Sequence, residues 1–313
     1  MKLAQLEAFL AVVDRHSFSE AALFLNMSQA AISYAVAELE RELGGKLLER
    51  GRFGAKPTDF GDDITVHARA ILQQQAAIQQ KAAANQGKIE GVLRVATFRS
   101  AAGKLLPPLM ASIKKSYPDL SIQLVEIDHS DDSGRDKEQL LRERLADVAF
   151  TENSQSVFEN EDLMLWEVTR DSYKGVVPLS DTRETLDWHV LAEESFIFSS
   201  CMFCASRLRS HLKELNLQTE EPSYYVREDS TILRMVSQEL GISVLPELAI
   251  DELPKNVKVI PMQDPLERSI AIAVLPSVLK TPAIRVFLSE LKKQFPDSAI
   301  PAFDVPGRFN KAA

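Results

Sequence analysis

The opening of the chain places apolar residues at helical intervals. Over residues 1–44, spacings of three and four positions predict three short amphipathic helices. Ser19 and Ser28 precede the second and third helices, and serine is a favoured N-cap because its hydroxyl accepts a bond from a free backbone N–H. Gly44 and Gly45 are expected to end the third helix. The predicted buried positions are Leu3, Leu6, Leu10 and Val13 in the first helix and Ile32, Val36, Leu39 and Leu43 in the third.

The order of these helices predicts a helix-turn-helix followed by a wing. Residues 26–28 break the pattern between the second and third helices, which is the short turn that a helix-turn-helix needs. Residues 46–57 then read as two short segments around a turn at 51–54. We therefore expect a compact head over residues 1–58.

A long uninterrupted helix is predicted next, over residues 59–88. About 29 helical residues span roughly 43 Å, which is more than one small domain covers. The alternative is a helix packed on its own domain, but we favour a dimerising linker helix. Its apolar positions are spaced four, three, four, three and four residues, as in a coiled-coil seam with a polar position at Gln75. The seam consists of Ile64, Ala68, Ile71, Gln75, Ile78 and Ala82.

From residue 89 onward the pattern alternates between strands and helices. Such alternation predicts an α/β fold with a mostly parallel sheet and covering helices. About 200 residues are enough for two small sheets side by side. Strands are predicted at 92–98, 121–128, 147–151, 196–199, 224–227, 242–245 and 269–275, with helices at 100–116, 135–145, 204–215, 230–240 and 283–295.

Composition excludes several protein classes. The 313 residues carry 36 Lys+Arg and 45 Asp+Glu, a net charge of −9, so a globally basic nucleic-acid binder is not expected. Two cysteines are too few for the disulfide framework of a secreted protein. The N-terminal residues lack the apolar core of a signal peptide, and no run of 18 apolar residues is present. These features predict a cytoplasmic protein that does not span a membrane.

The third predicted helix presents a slim polar face that fits a major groove. Gln29, Ser33 and Ala37 form one row at intervals of four residues, with Ala30 and Tyr34 beside it. Residues 1–90 have a net charge of −1, so a three-helix protein-binding module is the alternative. Residues 46–56 nevertheless carry +3, as expected of a wing that contacts phosphates. The predicted DNA-binding residues are Ser28, Gln29, Ala30, Ser33, Tyr34, Arg50, Arg52 and Lys56.

The segment from Leu6 to Pro57 resembles the DNA-binding domain of LysR-type transcriptional regulators. The matching pieces include Ser17-Phe18-Ser19-Glu20-Ala21-Ala22, Met27-Ser28-Gln29, Ala31-Ile32-Ser33, Leu39-Glu40, Leu43-Gly44, Leu47-Leu48-Glu49-Arg50 and Pro57-Thr58. Later pieces fit as well, among them Tyr117-Pro118, Leu145-Ala146-Asp147 and Leu240-Gly241-Ile242. Two positions depart from the family, which usually has proline at Ala30 and often arginine at Tyr34. The recognition helix is therefore less basic than usual.

The resemblance implies a complete architecture and its partners. It implies an N-terminal winged helix-turn-helix, a linker helix, and an effector-binding domain at 89–303 made of two Rossmann-like subdomains similar to periplasmic binding proteins. Subdomain I would comprise 89–167 and 269–303, and subdomain II would comprise 168–268. The implied partners are double-stranded promoter DNA, a small-molecule effector, RNA polymerase and further copies of the chain in a dimer or tetramer.

The predicted effector site lies beyond the C-terminal ends of the strands, where open α/β sheets bind ligands. Arg99 can bind an anionic group by a charge-assisted fork, although pairing with a nearby carboxylate is almost as common a role for arginine. The serines and threonines near it can equally cap helices. The expected effector-binding residues are Thr97, Arg99, Ser100, Thr151, Asn153, Ser199, Ser200 and Ser230.

Cys201 and Cys204 are the most ambiguous pair in the sequence. A helix N-terminus lowers a thiol pKa, and this spacing permits a disulfide. Resemblance to the peroxide-sensing members of the family places Cys204 near their reactive cysteine, but those members carry the partner cysteine further along the chain. Two buried, inert thiols are the favoured interpretation. Together with His189 and His211 they make no compact zinc site.

These observations predict a DNA-binding transcriptional regulator that an anionic or polar effector switches in the cleft between the subdomains. The alternative within the same fold is a switch by thiol oxidation. A third class is a solute-binding protein or enzyme with an N-terminal interaction domain. The sequence lacks the common nucleophile-elbow, phosphate-loop, dinucleotide and zinc-protease motifs, so we expect no enzyme, cofactor or metal.

Overall fold

The computed structural model describes residues 1–51, 54–126, 137–152, 162–200, 202–217 and 223–304. The helices are α1 (Leu3–Arg15), α2 (Phe18–Phe24), α3 (Gln29–Leu43), α4 (Asp59–Asn85), α5 (Arg99–Lys104), α6 (Leu106–Ser116), α7 (Lys137–Arg142), α8 (Val190–Glu193), α9 (Met202–Glu214), α10 (Asp229–Ser237) and α11 (Pro282–Gln294). The strands are β1 (Leu48–Gly51), β2 (Gly54–Pro57), β3 (Gly91–Thr97), β4 (Leu120–Glu126), β5 (Val148–Glu152), β6 (Met164–Pro178), β7 (Ile197–Ser199), β8 (Tyr224–Val226), β9 (Ser243–Pro246), β10 (Val257–Pro261) and β11 (Glu267–Val274).

The head is the predicted winged helix-turn-helix. Helices α1 to α3 enclose one apolar core, and β1 pairs antiparallel with β2 to form the wing. Ser28 caps α3 as predicted, and its hydroxyl accepts a bond from the Ala31 N–H. The cap of α2 is Ser17 rather than Ser19, because Ser17 has the extended backbone of an N-cap and accepts from the Glu20 N–H. Gly44 ends α3 in the left-handed conformation.

A buried carboxylate joins α3 to the wing. The side chain of Glu40 accepts bonds from the backbone N–H groups of Leu47 and Leu48 and forms an ion pair with Lys46 at 2.8 Å. On the other side of the wing, the Ala55 N–H donates to the carbonyl of His16. A Cβ at Gly54 would lie 2.2 Å from that carbonyl oxygen, so only glycine allows the approach. The wing is therefore held at a fixed angle to α3.

The long helix α4 divides its predicted seam between two environments. Ala68 is 1% exposed and lies in the core of its own head, where Ile64 packs against it. The predicted role of Ala68 at a partner interface is therefore wrong, because the head covers this end of α4. Ile71 and Ile78 are exposed at 38% and 69%. The C-terminal half of the seam thus stays available to another chain.

The remaining chain forms an α/β domain that is less parallel than the sequence pattern indicated. Its main sheet runs β10-β6-β11-β5-β3-β4, with β9 also paired to β6. Among the named strands in the described part of the chain, the β3–β4, β3–β5 and β7–β8 ladders are parallel, whereas β6 is antiparallel to β9, β10 and β11. Strands β6 and β10 were not predicted from the sequence. The sequence pattern also predicted one helix where α5 and α6 are separate, with a proline in the first turn of α6.

The missed strand β6 links the two subdomains. Its first half pairs with β11 beside β5, and its second half pairs with β9 and β10. Each half lies over its own apolar core, one in subdomain I and the other in subdomain II. The chain therefore crosses between the subdomains twice, once along β6 and once in the connection from β10 to β11.

No helix in the described ranges combines the length and the apolar character needed to cross a bilayer. No group of three or more His, Cys, Asp and Glu side chains in them is arranged to hold a metal ion.

Candidate functional site

Helix α3 and the wing form one exposed polar surface. Ser28, Gln29 and Ala30 are exposed at the start of α3, and Tyr34, one turn further on, is 70% exposed. The opposite side of α3 carries Ile32, Val36 and Leu39, which are buried in the head. Helix α3 therefore presents the predicted base-reading row outward because its apolar stripe fixes its rotation.

Arg50 connects the wing to this surface. Its guanidinium lies over the ring of Phe18, 4.1 Å from the ring centroid, and reaches the hydroxyl of Ser33 at 3.5 Å. Lys56 is exposed on β2 opposite Glu49 in the strand register. Arg52 lies outside the described residues. Of the predicted basic residues, Arg50 thus contacts α3, whereas Lys56 is exposed on the wing.

The predicted effector residues lie at or just after strand ends in both subdomains. Thr97 ends β3 and Ser100 lies in the first turn of α5, while Thr151 lies near the end of β5. In subdomain II, Ser199 ends β7, and the Ser200 N–H donates to the carbonyl of Val226 at the end of β8. The expected positions within the described residues therefore lie at strand ends of both subdomains, on the two sides of the expected inter-subdomain cleft, and Asn153 lies outside the described residues.

The side chain of Arg99 reaches from subdomain I to subdomain II. From the start of α5 its guanidinium donates to the carbonyl of Arg227 at 2.7 Å and to the carboxylate of Glu228 at 2.9 Å. Glu228 precedes α10, in which Ser230 is exposed. A second contact between the same two sides joins Lys104 to Asp251 at 2.7 Å. The structure therefore pairs Arg99 with a carboxylate, as one of the two sequence interpretations expected.

A buried ion cluster around Arg268, which the sequence did not predict, joins β5, β6, β11 and α5. Arg268, 1% exposed, donates to Asp171 at 2.6 and 2.8 Å, to Glu152 at 3.0 Å and to the Ser100 hydroxyl at 2.9 Å. Arg268 and Asp171 face each other across the β6–β11 pair. Burial raises the pKa of Asp171 more than the Arg268 guanidinium lowers it. The cluster thus lies where the crossover strands β6 and β11 pair with each other.

The alternation of side chains along β11 could have predicted that Arg268 is buried. This residue shares one face of the strand with Ile270 and Ile272, both fully buried. An arginine in that register must bring its charge into the interior. A buried arginine needs carboxylate partners, and these come from strands far away in the sequence.

The other predicted hydroxyls differ in their bonding. Thr97 is buried and its hydroxyl donates to the neighbouring Phe98 carbonyl, whereas the Thr151 hydroxyl donates to the buried carboxylate of Glu138. Ser199 is also buried, and its hydroxyl has no hydrogen-bond partner in the part of the chain that the structure describes. Ser199 is therefore the hydroxyl best placed to accept a new partner.

The two cysteines cannot be compared as a pair. Cys201 lies outside the described residues, and the backbone of Cys204 lies in the first turn of α9. The thiol interpretation therefore remains the prediction that the sequence made.

Helix α4 is bonded to subdomain I by side chains. The Gln73 amide donates to the carboxylate of Asp147 at 2.7 Å, and the Arg144 guanidinium donates to the Gln73 carbonyl oxygen at 3.1 Å. Further along, a Cβ at Gly91 would lie 2.9 Å from the side chain of Gln80, so the helix and β3 approach closely. Helix α4 is therefore held against subdomain I at Gln73 and again at Gln80.

Comparison with known proteins agrees with this arrangement. The model of the bacterial regulatory helix-turn-helix protein of the lysR family matches residues 3–62, and that of the LysR substrate binding domain matches residues 86–296. The chain is 37% identical over 299 residues to a protein of Synechococcus elongatus named "Probable HTH-type transcriptional regulator LrrA", covering 95% of this chain and 98% of the relative.

Solved structures share the fold. A full-length OxyR variant from Pseudomonas aeruginosa is similar with a TM-score of 0.71 and 23% identity, covering 93% of this chain and 98% of that one. Full-length CbnR in complex with its target DNA gives a TM-score of 0.64 at 19% identity, covering 94% and 99% of the two chains. The chain belongs to the LysR family of transcriptional regulators, with a helix-turn-helix DNA-binding domain and an effector-binding domain.

Proposed function

We propose that this regulator is switched by a small polar effector that carries an anionic group and binds in the cleft between the subdomains. The observation that carries the proposal is the bridge from Arg99 in subdomain I to Glu228 in subdomain II. An effector carboxylate or phosphate has the geometry to replace Glu228 as the partner of Arg99. The bridge would then break, and the angle between the subdomains would change.

The hydroxyl groups around the bridge supply the remaining contacts. Ser199 offers a buried hydroxyl without a present partner, and Ser200 and Ser230 are exposed on the same side of the cleft. A buried hydroxyl that gains a hydrogen bond removes a desolvation penalty, so Ser199 favours a ligand with a polar atom facing it. Thr97, Thr151 and Asn153 complete the proposed site on the side of subdomain I.

The response would reach DNA through the linker helix. Because Gln73 joins α4 to Asp147 in subdomain I, a change of subdomain angle moves α4 and with it the head. We infer that two heads of an oligomer, joined through Ile71, Gln75 and Ile78, place their α3 helices in successive major grooves. The face of α3 reads bases there, while Arg50, Arg52 and Lys56 contact phosphates. RNA polymerase is the proposed downstream partner.

The test uses the full-length protein and an operator recovered from random DNA by selection. A panel of small carboxylates and phosphates is screened for compounds that change the footprint, and each active compound is titrated against wild type, Arg99→Ala and Arg170→Ala. Arg170 is an exposed arginine that pairs with Glu167, so it is the matched control. We expect Arg99→Ala alone to lose the response. A footprint change in Arg99→Ala at the wild-type concentration would remove Arg99 from the site.

The same assay separates the oxidation alternative. Hydrogen peroxide replaces the compound panel, and Cys204→Ser is compared with wild type. A footprint change that needs peroxide and disappears in Cys204→Ser would establish thiol switching in place of the cleft.

A further inference from the structure

Apart from the proposed effector cleft, a cavity lies where the head, α4 and subdomain I meet. Its volume is about 780 Å³, within the range of about 300–1,000 Å³ that small-molecule sites occupy. Its walls come from α1, from the inward face of α4, and from β3 and α11. The apolar lining includes Leu10, Leu25, Leu72, Ala76, Val92 and Ile284. The apolar part of a bound molecule would therefore contact the cavity walls on three sides.

Most charged groups in this cavity already have partners. Arg69 pairs with Asp14 at 2.5 Å, and Arg94 pairs with Asp147 at 3.0 Å. Each guanidinium charge is therefore balanced by a carboxylate, although the buried Nε–H of Arg69 has no hydrogen-bond partner within the described residues.

Two carboxylates remain. Glu7 on α1 and Glu90 just before β3 both line the cavity and are exposed, and within the described residues neither has an ion pair or a side-chain hydrogen bond. With four carboxylates and two guanidinium groups in the lining, the cavity carries a net charge of −2. Such a charge repels anions and attracts cations.

We propose that this cavity binds a hydrophobic cation, an arylammonium or alkylammonium ion of small size. The apolar part would lie against the side chains of α4 and α11, and the ammonium group would face the exposed carboxylates of Glu7 and Glu90. Since Glu7 belongs to the head and Glu90 to subdomain I, the bound cation would hold these two parts together. This site is independent of the effector cleft, because its lining shares no residue with it.

The test is calorimetric titration of the full-length protein with 2-phenylethylammonium, 2-phenylethanol and phenylacetate, which share one apolar skeleton. We expect the ammonium ion to bind more tightly than the alcohol and phenylacetate to bind least. Glu7→Gln and Glu90→Gln should each weaken ammonium binding by about two- to fivefold, as measured for exposed ion pairs, and leave alcohol binding unchanged. Glu252→Gln is the matched control, since Glu252 is an exposed carboxylate outside the cavity.

A variant that fills the cavity completes the test. Ala76 is exposed and lines the cavity, so Ala76→Trp should abolish binding of all three compounds while circular dichroism stays that of the wild type. Equal affinity for the ammonium ion and phenylacetate would overturn the proposal. So would unchanged ammonium binding in Ala76→Trp, or the absence of saturable binding. If no compound binds and Ala76→Trp instead dissociates the oligomer, a second copy of the chain occupies the cavity.

Discussion

Replacing Arg268 by methionine is the sharpest test of the buried cluster at the crossover strands. Methionine keeps most of the volume of the side chain but removes the guanidinium. In the wild type this group donates to Asp171, Glu152 and Ser100. Without it, Asp171 and Glu152 face each other in the interior with no compensating charge.

The expected loss of stability follows from that imbalance. Removing one partner of a buried ion pair costs about 3–5 kcal/mol, because the other charge remains buried and unpaired. In a domain of 150–250 residues each kcal/mol lowers the melting temperature by about 2–4 °C. We therefore expect Arg268→Met to lower the melting temperature of the effector-binding domain by about 6–20 °C. The exposed Arg170 is the control, and Arg170→Met should cost no more than about 0.5 kcal/mol.

The penalty should depend on pH with a defined sign. Burial already raises the pKa of Asp171, and loss of the guanidinium raises that pKa further. A carboxyl whose pKa is raised in the folded state stabilises the fold below its unfolded pKa and loses that contribution as pH rises through the folded pKa. The difference between Arg268→Met and wild type should therefore be largest at neutral pH and shrink as Asp171 becomes protonated.

Differential scanning calorimetry of both arginine variants between pH 5 and pH 8 measures these quantities. The double variant Arg268→Met with Asp171→Asn should recover part of the loss, since it removes a buried charge that has lost its partner. A loss below about 1 kcal/mol at pH 7, or a penalty that grows on acidification, would refute the assigned role of the cluster.

Three further outcomes are expected. Tyr34→Ala should reduce the preference for operator over random DNA in a competition gel shift, and an equal loss on both DNAs would contradict base reading. Ile78→Asp should dissociate the oligomer in analytical ultracentrifugation, since it places a charge in an apolar contact, whereas Ala68→Gly should destabilise the head and leave the oligomer intact. Cys204→Ser should leave operator binding insensitive to reductant, as in wild type, and a reductant effect in wild type alone would favour the thiol switch.

The spacing of apolar residues and the capping residues were enough to predict the helices of the head and the linker. The apolar stripe of α3 predicted its burial and, by exclusion, its exposed row, because side-chain direction repeats with the helical period. Ser28 and Gly44 marked the ends of α3 for the same local reason. For α2 the sequence predicted Ser19 as the N-cap, but Ser17 is the cap. The two serines are two positions apart, and only the backbone conformation distinguishes them.

Pairing between distant segments decided what the sequence could not. Arg268 meets Asp171, Glu152 and Ser100 across separations of 97, 116 and 168 residues, so no window along the chain contains the cluster. The crossover strand β6 was missed because its two halves pair with different neighbours, β11 along the first half and β9 and β10 along the second. The spacing along α4 assigned Ala68 to a partner interface, but in the fold Ala68 is buried with the apolar residues of α1. Helical period and capping are properties of neighbours in sequence, whereas strand register, the bridging of Arg99 and the burial of charge depend on which segments the folded chain brings together.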